Sequence, residues 1–263
     1  MSAKVRAMKT LTVLGRKGGI GKTTTALALA YGLEQRGKKV LAIDTDSQAS
    51  LTECTLTTAP RFTLYDVLTE LDLDPRQALI PISPGIDLLP SDPMEDESLA
   101  RLNRIELEDS PSSFRNLINT LSGGYDYCII DTPPDLGFFT QSAMTASDSL
   151  VIPIMADRFS VSGLKRIKRA YEQIKESYNP GLQIAGLLIT QYQRIGNLNK
   201  AVSEIIQKTA EDENIYLFSQ PIRATLKQRE AMLARQSIFR YCPRHPITED
   251  YNAFINELLE REE

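Results

Sequence analysis

Short runs of continuous apolar residues alternate along this chain with longer stretches whose apolar residues recur every three or four positions. The runs 10–14, 39–43, 86–89, 127–130, 150–154, 182–190 and 215–218 predict strands. The periodic stretches 23–35, 65–71, 95–103, 114–121, 161–177, 199–209, 226–234 and 249–260 predict helices. Arg36-Gly37 closes the first helix with a stop signal. Strands that are Val, Ile and Leu almost throughout must be covered on both faces, which is the situation of a parallel sheet. Alternation with helices and right-handed crossovers then gives an α/β chain with a doubly wound, mostly parallel sheet flanked by helices. Ligands of such sheets bind at the carboxyl ends of the strands. No internal repeat or Pro- or Gly/Ser-rich linker divides the chain, so residues 1–263 read as one domain.

The stretch Gly15-Arg-Lys-Gly-Gly-Ile-Gly-Lys-Thr-Thr-Thr25 follows the first predicted strand and opens the first helix. That is the context of a phosphate-binding loop. Gly18, Gly19 and Gly21 let backbone N–H groups curl around an anion, with Ile20 between them. Lys22 brings charge to the β- and γ-phosphates, the Thr23 hydroxyl is placed to ligate Mg²⁺, and Thr24 continues the helix start. Arg16 stands where the usual pattern has its first glycine, and a second lysine, Lys17, lies inside the loop.

Two acidic motifs accompany it. Asp44 and Asp46 end the second strand, two residues apart and so on one side of an extended chain. Asp131 ends the strand 127–130, where a carboxylate holds Mg²⁺, commonly through water. Pro133, Pro134 and Gly137 follow it in a loop suited to respond to a γ-phosphate.

Composition removes other chemistry. The chain has 263 residues, 42% apolar and 24% charged, with no run of 18 apolar residues to span a membrane. Residues 1–10 lack the apolar centre of a signal peptide. Three unpatterned cysteines fit a reducing cytosol, and His245 alone leaves little for a histidine-ligated metal. Charge is uneven: residues 158–244 carry net +8 within a chain of net −4, which points to a surface facing a polyanion.

Lys17-Gly-Gly-Ile-Gly-Lys22-Thr-Thr, Ile43-Asp-Thr-Asp46-Ser-Gln48 and Ile130-Asp-Thr-Pro-Pro134 together resemble, in order and spacing, the ParA/MinD class of P-loop ATPases with a deviant Walker A lysine. The likeness spans the chain and is closest to the short ParA branch, which has no added helix-turn-helix domain. Ser47 stands where that family usually has proline, and Pro221-Ile-Arg223-Ala-Thr225 replaces its proline-arginine-asparagine stretch. The resemblance implies ATP and Mg²⁺ as cofactors and an ATP-dependent homodimer with slow turnover. It implies that Lys17 crosses to the partner's phosphates, that Lys22 acts in cis, that Thr23, Asp131 and Asp44 serve the metal, and that Asp46 positions the attacking water. It places Pro221 and Arg223 beside the adenine.

The same resemblance implies nonspecific DNA binding, nucleoid association in the cytoplasm, and a ParB-like or small adaptor protein. Arg194, Lys200, Arg223, Lys227, Arg229, Arg235 and Arg240 are the basic candidates for DNA. A MinD-like membrane ATPase is the alternative, but the amphipathic tail 249–263 is acidic where anionic lipid requires a basic helix. A metabolic enzyme of the superfamily is the other alternative. Its iron–sulfur form needs paired exposed cysteines, and its cobyrinate-type form needs a glutaminase domain for which 263 residues leave no room. The expected activity is partition or positioning of a DNA element or large cargo.

Overall fold

In the computed structural model, residues 7–70, 72–92, 112–155, 160–193 and 197–262 are described, with side chains except at 160, 161 and 197–203. Seven strands form one sheet in the order β3-β4-β2-β5-β1-β6-β7. They are β1 (Lys9–Val13), β2 (Val40–Asp44), β3 (Ile80–Ser83), β4 (Ile86–Leu89), β5 (Tyr127–Asp131), β6 (Ser149–Met155) and β7 (Gln183–Thr190). All neighbours pair in parallel except β3, which turns back antiparallel on β4. Pro81 removes a ladder donor from β3, which is tolerable only at a sheet edge. That short, half-exposed strand has no continuous apolar run and is not foreseen by the pattern. The predicted helix at 95–103 lies outside the described residues.

The helices are α1 (Lys22–Glu34), α2 (Ser50–Glu53), α3 (Leu64–Thr69), α4 (Ser112–Leu121), α5 (Phe138–Ala146), α6 (Ser160–Ser177), α7 (Asn197–Asp212), α8 (Leu226–Leu233), α9 (Ile238–Tyr241) and α10 (Pro246–Glu262). They cover both faces of the sheet. Leu11, Val13, Val40, Ala42 and Ile129 point to the face packed by α1, α9 and α10. Their strand neighbours Leu41, Ile43, Cys128 and Ile130 point to the other face, against Leu64, Phe114 and Ile118 of α3 and α4. α1 is buried on nearly its whole circumference, and it stops at the foreseen place, where Gly37 takes a left-handed φ of 76°.

Two expectations change. The run 215–218 is not a full strand: it makes a single parallel bridge, Leu187 to Leu217, at the β7 edge. Glu257 then takes the Ser219 N–H at 3.0 Å, which interrupts the pairing until the Ile222 N–H meets the Ile189 carbonyl at 2.8 Å. The loop after Pro134 is short and leads directly into α5, a helix absent from the predicted set.

Candidate phosphate-binding site

β1 delivers the chain into the loop 14–21 at the carboxyl edge of the sheet, and α1 begins at Lys22 with Gly21 as its N-cap. Gly19 and Gly21 have φ of 75° and 90°, whereas Ile20 between them does not have positive φ. Alternating handedness of this kind turns successive N–H groups toward one concave side, making an anion nest. No side chain caps α1 and no acid stands in its first turn, so its amides and partial positive charge face the same place.

Lys22 is 7% exposed and lies in the fields of Asp131, Asp46 and Asp135. Burial lowers its pKa, and those carboxylates oppose the shift. Asp44 and Asp131 end neighbouring strands in register. Burial pushes Asp44 up to about 6, against the hydrogen bonds it accepts. Those come from the Thr52 N–H at 2.9 Å, the Thr52 hydroxyl at 2.8 Å and the Asp46 N–H at 3.1 Å. Asp46 accepts the Gln48 N–H at 3.0 Å and lines the cavity above the loop. Asp131 is raised well above the ordinary carboxylate range, first by burial and then by Asp44, while Thr23 and Lys22 pull the other way.

Both carboxylate oxygens of Asp131 are buried without a hydrogen-bond partner. A buried anion left so is satisfied by a hard divalent cation and its waters. Among the described residues no three His, Cys, Asp or Glu side chains converge as a protein-only metal cage. The donor set therefore fits Mg²⁺ arriving with phosphates, met by the Thr23 hydroxyl and Asp131, and not a dedicated closed site.

The cavity holds about 700 Å³ and is lined by Gly18, Gly19 and Lys22 of the loop and α1 start and by Ile222, Gln228, Met232 and Tyr251. Lys17 is exposed on the loop and does not line it; it faces the β6 end and the start of α6. Pro221 and Arg223, expected beside the adenine, are not among its lining residues, although Ile222 and Ala224 of the same segment are. The extended segment 221–224 alternates sides, so Ile222 and Ala224 face the cavity and Pro221 and Arg223 face away. Arg223 is instead paired with Asp250 at 2.6 Å.

The basic candidates are not one group. Lys227 pairs with Glu230 at 2.7 Å, and Arg229 lines the nucleotide-sized cavity. Arg235 and Arg240 are exposed, the first donating to the Glu53 carbonyl at 3.1 Å and the second to the Ser83 hydroxyl at 3.0 Å. Arg194 and the side chain of Lys200 lie outside what is described. The pattern also missed Thr52, Thr190, Gln191 and Tyr251. Nothing local marks them, because only the fold brings them to the site.

A family model described as an AAA domain matches residues 8–184. The chromosome partitioning protein ParA of Caulobacter vibrioides is 30% identical over 97% of this chain and 95% of its own length. The chain belongs to the ParA family of P-loop ATPases. Solved structures agree with this ParA-type fold. A Borrelia burgdorferi plasmid partition protein bound to AMPPNP is 25% identical, with a TM-score of 0.78 over 97% of this chain and 99% of that one. A Mycobacterium smegmatis structure described as cobyrinic acid a,c-diamide synthase, with bound ATP analogue and magnesium, is 25% identical with a TM-score of 0.80, covering 97% and 96%. ATP and Mg²⁺ are the cofactors of this ParA-type ATPase, consistent with the glycine nest and the unpartnered Asp131. Among the described residues no helix is long and apolar enough to cross a membrane.

Proposed function

We propose that this partition or positioning ATPase, acting as one domain over residues 1–263, works as an ATP-dependent homodimer on nonspecific DNA, with a ParB-like or small adaptor protein. The observation that carries the reading is the division of labour between two lysines of one loop. Lys22 is buried in the cavity, and Lys17, five residues earlier, is exposed outside it. A lysine there reaches the phosphates of a facing copy, where positive charge stabilises the transferring phosphoryl group.

Within one copy, the N–H groups of the glycine loop and Lys22 hold the β- and γ-phosphates. Thr23 and Asp131 hold Mg²⁺, and Asp44, braced by Thr52, sets the position of its neighbour Asp46. Bound magnesium neutralises phosphate charge. Asp46, lining the cavity beyond the loop, orients the attacking water. Pro134, which also lines the cavity, belongs to the loop that responds to the γ-phosphate.

DNA contact falls to exposed arginines of the basic segment, among them Arg235 and Arg240 of the candidates, and the resulting localisation is cytoplasmic and nucleoid-associated. The amide-synthase description of one structural neighbour is less well supported here. That neighbour is 25% identical, whereas the partitioning protein ParA is 30% identical over nearly the whole chain.

Sedimentation with ATP, with ADP and without nucleotide tests the proposal. A dimer with ATP alone is the expected result; one mass in all three conditions overturns it.

A further inference from the structure

The loop carbonyls opposite the nest have partners of their own, 170 residues away in sequence. The Thr190 hydroxyl, on the last residue of β7, donates to the Ile20 carbonyl at 2.6 Å and lies 3.4 Å from the Ile154 carbonyl. The next residue, Gln191, donates its side-chain amide to the Gly19 carbonyl. In a planar trans peptide the carbonyl of one residue and the N–H of the next point in opposite directions. Fixing the Gly19 and Ile20 carbonyls on β7 therefore turns the N–H groups of Ile20 and Gly21 away from β7. The alternating backbone of Gly19, Ile20 and Gly21 gathers those same two groups into the nest.

Two consecutive strand residues would ordinarily point to opposite sides. Here Gln191 has a φ of 52°, in the left-handed region that glutamine seldom occupies. That break in the alternation lets Thr190 and Gln191 reach adjacent carbonyls of one loop. Such strain persists where the surroundings over-determine it, characteristically at ligand clamps. A Cβ added at Gly21, the α1 cap, would sit 3.8 Å from the Thr190 side chain. The following residue, Tyr192, donates its N–H to the Ile222 carbonyl at 2.9 Å and accepts the Ala224 N–H at 2.9 Å. Ile222 and Ala224 line the cavity. The end of β7 and the residues just after it thus hold the phosphate loop through side chains and the segment 222–224 through backbone.

We infer that Thr190 and Gln191 are positioning residues of the ATPase, holding the Gly19 and Ile20 peptides in the orientation that presents two N–H groups to phosphate. The inference rests on the glycine loop being the phosphate site of bound ATP. A clamp on the loop acts on the phosphates and not on the nucleoside, which separates it from a general role in shaping the cavity.

The test compares binding of ATP, ADP and adenosine to the full chain by ligand-observed NMR or equilibrium dialysis. Thr190→Val removes the donor while keeping the shape, and Thr190→Ser restores the hydroxyl. Gln191→Gly removes the amide and relaxes the left-handed backbone, so it keeps the test informative where Thr190→Val folds poorly. The expected result is about tenfold weaker ATP and ADP binding in Thr190→Val and in Gln191→Gly, unchanged adenosine binding, and recovery in Thr190→Ser. Native ATP affinity in Gln191→Gly, or equal losses for ATP and adenosine, would overturn the clamp. Failure of the unsubstituted chain to bind ATP would overturn both the clamp and the site on which it rests.

Discussion

Arg223 grips Asp250 of α10 with two side-chain donors, Nε at 2.6 Å and Nη2 at 2.7 Å. The Asp250 carboxylate is 2% exposed and also accepts the Arg223 N–H at 3.1 Å and the Gln220 amide at 2.9 Å. This fastens the outer side of the segment 221–224 to α10 while Ile222 and Ala224 face the cavity. Arg223→Ala leaves a buried carboxylate without its cation and should cost about 2 kcal/mol, a drop of roughly 4–8 °C in thermal midpoint. ATP affinity, measured below that midpoint, should change less than threefold. A large affinity loss with unchanged stability would return Arg223 to the nucleotide.

The same segment illustrates what was legible in the sequence. The phosphate loop and its acids were readable because glycine, lysine and aspartate act there through local backbone geometry at fixed spacing. The central strands were readable because burial on both faces forces Leu41, Ile43, Ile129 and Ile130 to be apolar alike. The direction of Arg223 was not, since alternation in an extended segment gives two faces without saying which one meets the cavity. Nor were Thr190 and Gln191, whose partners in the loop lie 170 and 172 residues away. Strand β3 escaped because an edge strand with a proline carries neither an apolar run nor a clean alternation.

The two loop lysines should separate in mutation. Lys22→Ala removes the buried charge of the cavity and should abolish ATP binding at any practical concentration. Lys17→Ala, altering a side chain outside that cavity, should bind ATP within about threefold of the native chain. It should nevertheless sediment as a monomer with ATP and hydrolyse it at least tenfold more slowly. A normal ATP dimer in Lys17→Ala would remove the role in trans.

Asp46 gives the third expectation. Its carboxylate is held by the Gln48 N–H and faces the cavity, while Asp44 beside it is consumed by Thr52 and by the Asp46 backbone. Asp46→Ala should retain ATP and accumulate as an ATP-loaded dimer, with turnover reduced at least a hundredfold, in the range of general acid–base contributions. Phosphate release under single-turnover conditions measures it. Native rates in this variant would move the positioning of water to another group.

The basic segment makes the last expectation. Nothing in the phosphate site requires net +8 over residues 158–244 in a chain of net −4. Within that segment the structure discriminates among the candidates. Lys227 is neutralised by Glu230, Arg223 by Asp250, and Arg229 faces the cavity, so none of these is well placed to meet DNA. Arg235 and Arg240 are exposed, and their guanidinium groups donate to a carbonyl and a hydroxyl, not to a carboxylate. Their charge is therefore not cancelled by those contacts. Binding through them should be independent of sequence and should weaken with salt, each neutralised phosphate adding about −0.9 to the log–log slope. One copy presents few such groups; two copies joined by ATP present twice as many at high effective concentration, so ATP should switch binding on. Arg235→Glu with Arg240→Glu should remove DNA binding and leave ATP binding and the ATP dimer intact, because neither side chain lines the nucleotide cavity. Fluorescence anisotropy with a random-sequence duplex across a salt series checks this. Equal affinity with ADP and ATP, or an unchanged salt slope in the double variant, would show that these arginines are solvated surface and that DNA, if bound, is met elsewhere.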